Sequence, residues 1–321
     1  MQTMNQNPIS DFRGKNLQEL LLSCRLCPRQ CGVDRAAGEK GICGLGNGIM
    51  LARALPHHGE EPPISGTRGA GTLFLSSCNL RCRFCQNYQI SHKIHGQTMT
   101  PVEVARHILA LENRGCHNIE AVTPTPQVPQ LIDALELARD AGLALPFVYN
   151  CGGYENPEII RMLDGRVDIY LPDFKYGNDE DAHELSGVRD YPRYTLESIR
   201  EMMIQVGPDL EMDDEGIATR GMLIRHLVLP GHIENSIQVL HLIRDHLSRN
   251  IPLSLMSQYT PTPAVKDHPS LGRRVNPDEY EEVVNRALDM GFEQLFVQEV
   301  DDRDLRPDFS VETPFQWTKE G

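Results

Sequence analysis

The chain reads as an α/β protein built on a parallel sheet with crossover helices and carrying an N-terminal cysteine-rich extension. Three observations predict this. From about residue 70, short β-rich runs alternate with helical segments. Most of the runs are continuously apolar rather than alternating, as strands covered on both faces should be. The segments between them carry helix start and stop signals. Such alternation gives either a barrel or an open doubly wound sheet.

The strands are expected at Thr72–Ser77, Asn118–Thr125, Leu145–Asn150, Val167–Phe174, Leu223–Gly231, Pro252–Tyr259 and Glu293–Val300. Thr100-Pro101-Val102-Glu103 supplies an N-cap residue, proline at the first helical position and a capping-box glutamate at N3. Asn276-Pro277-Asp278-Glu279 repeats that design and Asn156-Pro157-Glu158 nearly does. Gly115, Gly142, Gly165 and Gly291 stand where C′ glycines end helices. Val102, Ala105 and Leu109 share one helical face, as do Leu131, Leu135 and Ala138. Two stretches fall outside the rhythm. Residues 1–70 are rich in Cys, Gly and Pro, and residues 207–221, "GPDLEMDDEGIATRG", form an acidic insertion before the fifth strand that is expected to be a long loop and a candidate lid. The expected division is an extension over 1–70, a barrel over 71–300 and a tail over 301–321.

Composition narrows the function. With 40% apolar and 24% charged residues, the 321-residue chain has the balance of a globular protein. A net charge of −14 argues against nucleic-acid binding, which needs clustered Lys and Arg. The first residues lack a basic-then-apolar leader pattern and no long apolar run occurs, so a cytoplasmic protein with no membrane partner is expected. Seven of the nine cysteines lie in two tight groups, which suits metal ligation better than a disulfide framework.

The first group, Cys78, Cys82 and Cys85, directly follows the first strand of the parallel sheet, at the edge where such folds do chemistry. Thiolates at spacings of four and three wrap three corners of a [4Fe–4S] cube and leave the fourth iron open. The alternative is a zinc site completed by Cys116 or Cys151. C-x3-C-x2-C in this place resembles the signature of the radical S-adenosylmethionine (radical SAM) superfamily. The resemblance implies a partial (β/α)6-type barrel whose cluster chelates SAM through its amino and carboxylate groups. The cluster then cleaves SAM reductively to a 5′-deoxyadenosyl radical that abstracts hydrogen from a substrate. It also implies a reductant such as flavodoxin or ferredoxin.

The resemblance carries further candidates. Phe84 and Asn87 fit the placing of adenine against the cysteine loop. Where the superfamily often has Gly-Gly-Glu, this chain reads "AVTPTPQ", leaving Thr123 and Thr125 as substitutes. Asn150 begins a polar, glycine-rich turn at the third strand end, suited to a ribose or carboxylate. "LPDFKY" looks like the Asp-x-Lys strand end of glycyl-radical activating enzymes and nominates Asp173 and Lys175. Two opposite charges at a buried strand end need a partner or ligand, the alternative being a structural ion pair. Arg225 and His232 on the fifth strand and its loop complete the cofactor candidates, with Gln258 and Tyr259 available at the end of the sixth.

The second group, Cys24, Cys27, Cys31 and Cys43, makes a plausible four-thiolate site for either zinc or an auxiliary iron–sulfur cluster, with a structural or electron-relaying role. Between the groups, "HHGEEPP" from His57 to Pro63 is placed either to line the active-site mouth or to be solvated. Together with "CRLCPRQCGVDRAAGEKGIC", "RHLVLPGH" and "MSQY", these motifs resemble the PflX-like branch of radical SAM proteins, of the pyruvate formate-lyase activating type. Three functions remain in view. The first is an activase whose substrate is a glycine in a partner protein, with a wide, open barrel side. The second is an enzyme modifying a small molecule or peptide, with a pocket lidded by residues 207–221. The third is a non-catalytic metal-binding scaffold.

Overall fold

The computed structural model of the protein describes residues 16–315, so the leader reading of the first residues and the end of the tail lie outside the described part. In chain order the elements are β1 (Ile49–His57), α1 (Pro62–Ser65), β2 (Ala70–Leu75), α2 (Tyr88–Ser91), β3 (Gln97–Met99), α3 (Pro101–Asn113), β4 (Ile119–Val122) and α4 (Val128–Asp140). There follow β5 (Phe147–Cys151), α5 (Pro157–Met162), β6 (Ile169–Pro172), α6 (Asp179–Ser186), α7 (Tyr191–Val206), β7 (Leu210–Met212) and β8 (Ala218–Met222). The chain continues through β9 (Ile224–Leu227), α8 (Ile233–His246), β10 (Leu253–Met256), α9 (Pro277–Asp289) and β11 (Leu295–Val297).

β2, β4, β5 and β6 pair in parallel, and so do β9, β10 and β11. A single parallel bridge between Asp173 and Arg225 joins the two sets where β6 meets β9. The outward residues of this arc, such as Leu73, Ala121, Phe147 and Tyr149, are buried under the helices. This explains why the strands read as unbroken apolar runs. Both full capping boxes form, at Thr100 and Asn276, and Asn156 caps α5. Gly115, Gly142, Gly165 and Gly291 all take positive φ at helix ends.

Several expectations are corrected. The extension contains β1, which pairs antiparallel with both β2 and β3, so two strands extend the sheet beyond its parallel part. α3 buries Val104, Ala105, Ile108 and Leu111, while Val102 is half exposed, so the apolar stripe is set by the sheet beneath it and not by the Val102 register. Residues 207–221 are not a lid. They form the β7–β8 hairpin, which pairs with the start of β6, and Glu215 at its turn meets Arg68 near the amino ends of the strands. The opposite end of the arc holds the cysteine loop.

That amino end is closed by α1. Ile64 packs among Ala70, Val148, Ile169, Leu171, Ala218 and Leu223 inside the arc, and Asn118 donates to its carbonyl at 2.8 Å. The C-terminal segment runs from the loop after β10 to β1 and the inner face of β2. Arg306 donates to the Pro261 carbonyl at 3.0 Å, and Arg53 on β1 donates to the carbonyls of Phe309 and Val311. Phe309 and Phe315 pack on Phe74 with ring centroids 5.5 and 5.0 Å away. Such aromatic pairs contribute about 0.5–1.5 kcal/mol each beyond the area they bury. Among the described residues no helix is long and apolar enough to cross a membrane.

Candidate active site

The carboxyl ends of the parallel strands surround one cavity with an empty space, open mouth included, of about 1350 Å³. Cys78, Cys82 and Cys85 lie on its wall. The loop that carries them leaves β2 through two non-glycine residues with left-handed backbone, Ser77 (φ 74°) and Arg81 (φ 58°). Backbone in that region costs free energy and persists where surrounding contacts over-determine it. Here Ser77 donates to the Cys43 carbonyl at 2.6 Å, and Arg81 donates to the His92 carbonyl at 2.9 Å.

Each sulfur accepts one hydrogen bond: Cys78 from the Leu80 N–H at 3.4 Å, Cys82 from the Ser186 hydroxyl at 3.0 Å, and Cys85 from the Ser91 hydroxyl at 3.3 Å. Burial, reinforced by the neighbouring thiols, pushes the Cys78 thiol up to about 12 and raises that of Cys85. Left alone these groups stay protonated; ionisation requires a cationic centre among them. Among the described residues no three side chains close on a single ion, a geometry that a cube taking one thiolate per iron does not require. Cys78, Cys82 and Cys85 act on one another electrostatically, so the thiols lie together, and thiols are the donors that a cube takes.

The strand ends bring most of the sequence candidates to this cavity. Phe84, Asn87, Thr123, Asn150, Asp173, Lys175 and Arg225 all line it, with Gln258 and Tyr259. Phe84 is held edge-on to Tyr176. Thr123 has left-handed backbone (φ 58°). Gly153 after β5 takes φ 79°, and a Cβ there would lie 2.1 Å from the Asp173 carbonyl oxygen, so only glycine lets the two strand ends pass.

Two candidates are not brought in. Thr125 is buried in a short 3-10 turn and donates to Glu155 at 2.7 Å. His232 lies outside the cavity wall, with its ring between Asp181 (3.0 Å) and Ser270 (3.1 Å), where it ties α6 to the loop before α9. Both polar groups find partners inside the protein, which sequence spacing does not reveal.

Asp173 and Lys175 pair with each other, as expected for residues two apart at a strand end. Asp173 also receives Arg225 Nε at 2.9 Å. Burial opposes ionisation of Asp173, but Arg225 and Lys175 overrule it and hold its carboxyl below the usual range. Burial likewise opposes the charge on Lys175, and Asp173 and Cys82 overrule it, keeping the ammonium charged.

The network continues inward through residues that sequence reasoning missed or left open. Arg225 Nη1 meets Glu60 at 2.6 Å, and its Nη2 donates to Asn150 at 2.6 Å. Asn150 donates to Glu120 at 2.7 Å, and Thr72 donates to the other Glu120 oxygen at 2.6 Å. Burial, then repulsion from Glu60, pushes the Glu120 carboxyl up to about 8. Glu120 carried a signal, being a glutamate in mid-strand among apolar residues. Glu60 belongs to "HHGEEPP", whose reach into the barrel depends on the turn into α1.

Cys24, Cys27, Cys31 and Cys43 line a second, small cavity that also touches Asn79, the neighbour of Cys78. Burial raises the Cys27 and Cys43 thiols, with Cys24 adding to both. Arg29 fastens this segment to the carbonyls of Asn79 (3.0 Å), Ser186 (3.0 Å) and Gly187 (2.8 Å). The two cysteine groups are thus immediate neighbours. Cys116 is buried away from this wall, whereas Cys151, also buried, lines the large cavity with Cys78, Cys82 and Cys85.

Residues 72–206, the stretch from β2 to α7, match the sequence model described as the radical SAM superfamily. Two uncharacterized proteins of Methanocaldococcus jannaschii are similar over most of the chain. One is 29% identical over 287 residues, covering 86% of this chain and 78% of its own length. The other is 24% identical over 307 residues, covering 89% and 84%. Among solved structures, HydG, a maturase of the [FeFe]-hydrogenase, has a similar fold with a TM-score of 0.50 at 16% identity, over 74% of this chain and 53% of HydG. Streptococcus suis SuiB bound to S-adenosylmethionine aligns with a TM-score of 0.45 at 11% identity, over 70% of this chain and 48% of SuiB. The chain spans about half the length of these solved proteins.

Proposed function

We propose that this protein is a radical SAM enzyme that holds a [4Fe–4S] cluster on Cys78, Cys82 and Cys85 and binds SAM in the cavity above the parallel strands. The single observation that carries the reading is the set of three hydrogen-bonded cysteines on the wall of a cavity that the Asp173–Lys175 strand end also lines. A bound cluster supplies the electron that splits SAM into methionine and a 5′-deoxyadenosyl radical, the agent of hydrogen abstraction. The chain's own residues orient the cofactor. Lys175 is placed to hold the SAM carboxylate and Asp173 its ammonium, each offsetting the other's desolvation. Phe84 and Asn87 offer a wall and polar contacts for the adenosyl part.

The favoured substrate is a small molecule or peptide rather than a glycine loop of a folded partner. The observation behind this is the C-terminal segment, whose Phe309 and Phe315 cover Phe74 on the inner face of β2. The hairpin at 207–221 plays no part in that closure. The N-terminal cysteines form a second metal site, for zinc or an auxiliary cluster. Its contact with Asn79 suits an electron path from a flavodoxin- or ferredoxin-type donor. Anaerobic incubation of the reconstituted protein with SAM and dithionite tests the reading through 5′-deoxyadenosine release.

A further inference from the structure

We propose that Tyr176 and Arg29 are positioning residues for the [4Fe–4S] cluster: together they hold the Ser186 hydroxyl on the Cys82 sulfur and so raise the cluster's reduction potential. The inference deepens the reading of Cys78, Cys82 and Cys85 as cluster ligands and rests on it. Cys82 is the most enclosed of the three, being buried while the other two are partly exposed. Water has least access to it, so the protein supplies its donors.

The order of the protons follows from the distances. Ser186 is the last residue of α6, and its hydroxyl lies 3.0 Å from Cys82 Sγ. The buried Tyr176 hydroxyl, from the residue after Lys175, lies 2.5 Å from Ser186 Oγ. A cluster-bound thiolate accepts hydrogen bonds and has no proton to give. Ser186 has one proton, and it goes to the sulfur. The short contact with Tyr176 is then filled by the phenolic proton, so Tyr176 donates to Ser186 and Ser186 to Cys82. Each donor in such a chain polarises the next and strengthens it. Cys82 also acts electrostatically on the phenol, as it should if the three polar atoms lie together.

A serine in the last turn of a helix has a competing place for its hydroxyl, the carbonyl one turn back. Here that is the carbonyl of Ala182, which accepts the Gly187 N–H where α6 ends. Tyr176 opposes the turn back, because it would cost a buried phenol its bond to Ser186. The phenol cannot easily follow. Its ring is held edge-on to Phe84 and to Tyr191, with centroids 6.3 and 5.0 Å away.

Arg29 fixes the same bond from the backbone side. Its guanidinium donates to the carbonyls of Asn79 (3.0 Å) and Leu80 (3.4 Å), in the loop that leads into Cys82. It also donates to those of Ser186 (3.0 Å) and Gly187 (2.8 Å), at the end of α6. One planar fork thus spans the two chain segments that carry the acceptor and the donor, a task that a lysine cannot take over. The same cation covers a helix C-terminus, whose partial negative charge is a poor neighbour for thiolates. Arg29 lies between Cys27 and Cys31, so the N-terminal cysteine segment contributes to the surroundings of the cluster.

The test is a potentiometric EPR titration of the anaerobically reconstituted holoprotein, read as the midpoint of the cluster's one-electron reduction. Ser186→Ala sets the scale, because it removes the donor itself. Tyr176→Phe keeps the ring in place, and Arg29→Lys keeps the charge but not the fork. Each is expected to shift the potential down, by no more than Ser186→Ala does, since hydrogen bonds to cluster sulfurs favour the reduced form. Combined with Ser186→Ala, each is expected to add less than its own separate shift. An unchanged or raised potential in any of the three single variants overturns the proposal. So does a shift larger than that of Ser186→Ala, or one that adds to it in full. Should Tyr176→Phe fail to take up the cluster, Arg29→Lys decides by the same criteria. A wild-type protein that assembles no cluster on Cys78, Cys82 and Cys85 removes the underlying reading and the proposal together.

Discussion

Lys175→Met gives the sharpest view of how the cavity holds its cofactor. In the wild type, Lys175 and Arg225 hold the two oxygens of Asp173. Methionine fills similar volume and removes only the ammonium. Asp173 keeps Arg225 Nε at 2.9 Å, so the carboxylate is not stranded and the fold survives. What is lost is the cation assigned to the SAM carboxylate. A charge-assisted hydrogen bond contributes about 1.5–3 kcal/mol, so SAM affinity should fall roughly 10- to 100-fold. Equilibrium dialysis against anaerobically reconstituted protein reads this directly, with the cluster's visible absorption as the control for an intact site. Asp173→Asn should also weaken SAM, because it leaves Lys175 and Arg225 facing the site with less compensation. Unchanged SAM affinity in both variants would reduce the pair to a structural salt bridge and refute the reasoning.

Ser186→Ala removes the hydroxyl that donates to Cys82 at 3.0 Å. Hydrogen bonds to cluster sulfurs favour the reduced form, so losing one worth about 1 kcal/mol should lower the one-electron potential by roughly 40 mV. Potentiometric EPR titration checks this, and a potential that stays or rises contradicts it. Replacing Cys24, Cys27, Cys31 and Cys43 together with Ala should leave four irons per chain and strip any further iron or zinc, as measured by elemental analysis. Full metal retention would remove the second site. Glu120 should make stability depend on pH. Its folded carboxyl is raised from 4.5 to about 8, so the folded state binds more protons across that window; stability is fullest below about pH 4.5 and falls as pH rises through 8. Denaturation of the Glu120→Gln holoprotein should show a flatter slope between pH 5 and 8 than wild type, and an unchanged slope would place the proton elsewhere.

Much of the arc was legible because buried parallel strands and capped helices leave local marks. The unbroken apolar run through β5 and the boxes at Thr100 and Asn276 needed no tertiary knowledge. β1 was not legible. It mixes buried and half-buried positions, Arg53 and Pro56 interrupt it, and its pairing with β2 shifts register near Leu51. The lid expectation failed because acidity and glycine mark a hairpin turn as readily as a loop, and only the pairing of Gly221 with Ile169 shows which end of the sheet it serves. In the site, the cysteine loop was nominated by its spacing and its resemblance, the Asp173–Lys175 end by its resemblance to an Asp-x-Lys strand end, and both lie on the cavity wall. The place of Glu60 was not legible, since it depends on α1 turning into the amino end of the arc.

Cys78, Cys82 and Cys85 are proposed to hold a cluster that cleaves SAM. The most direct measurement is single-turnover 5′-deoxyadenosine formation from SAM and dithionite under anaerobic conditions, comparing wild type with Cys78→Ala, Cys82→Ala and Cys85→Ala. Wild type is expected to yield 5′-deoxyadenosine and methionine in equal amounts, and the three variants none. No product from a wild-type protein that carries four irons, or undiminished product from Cys82→Ala, would contradict it.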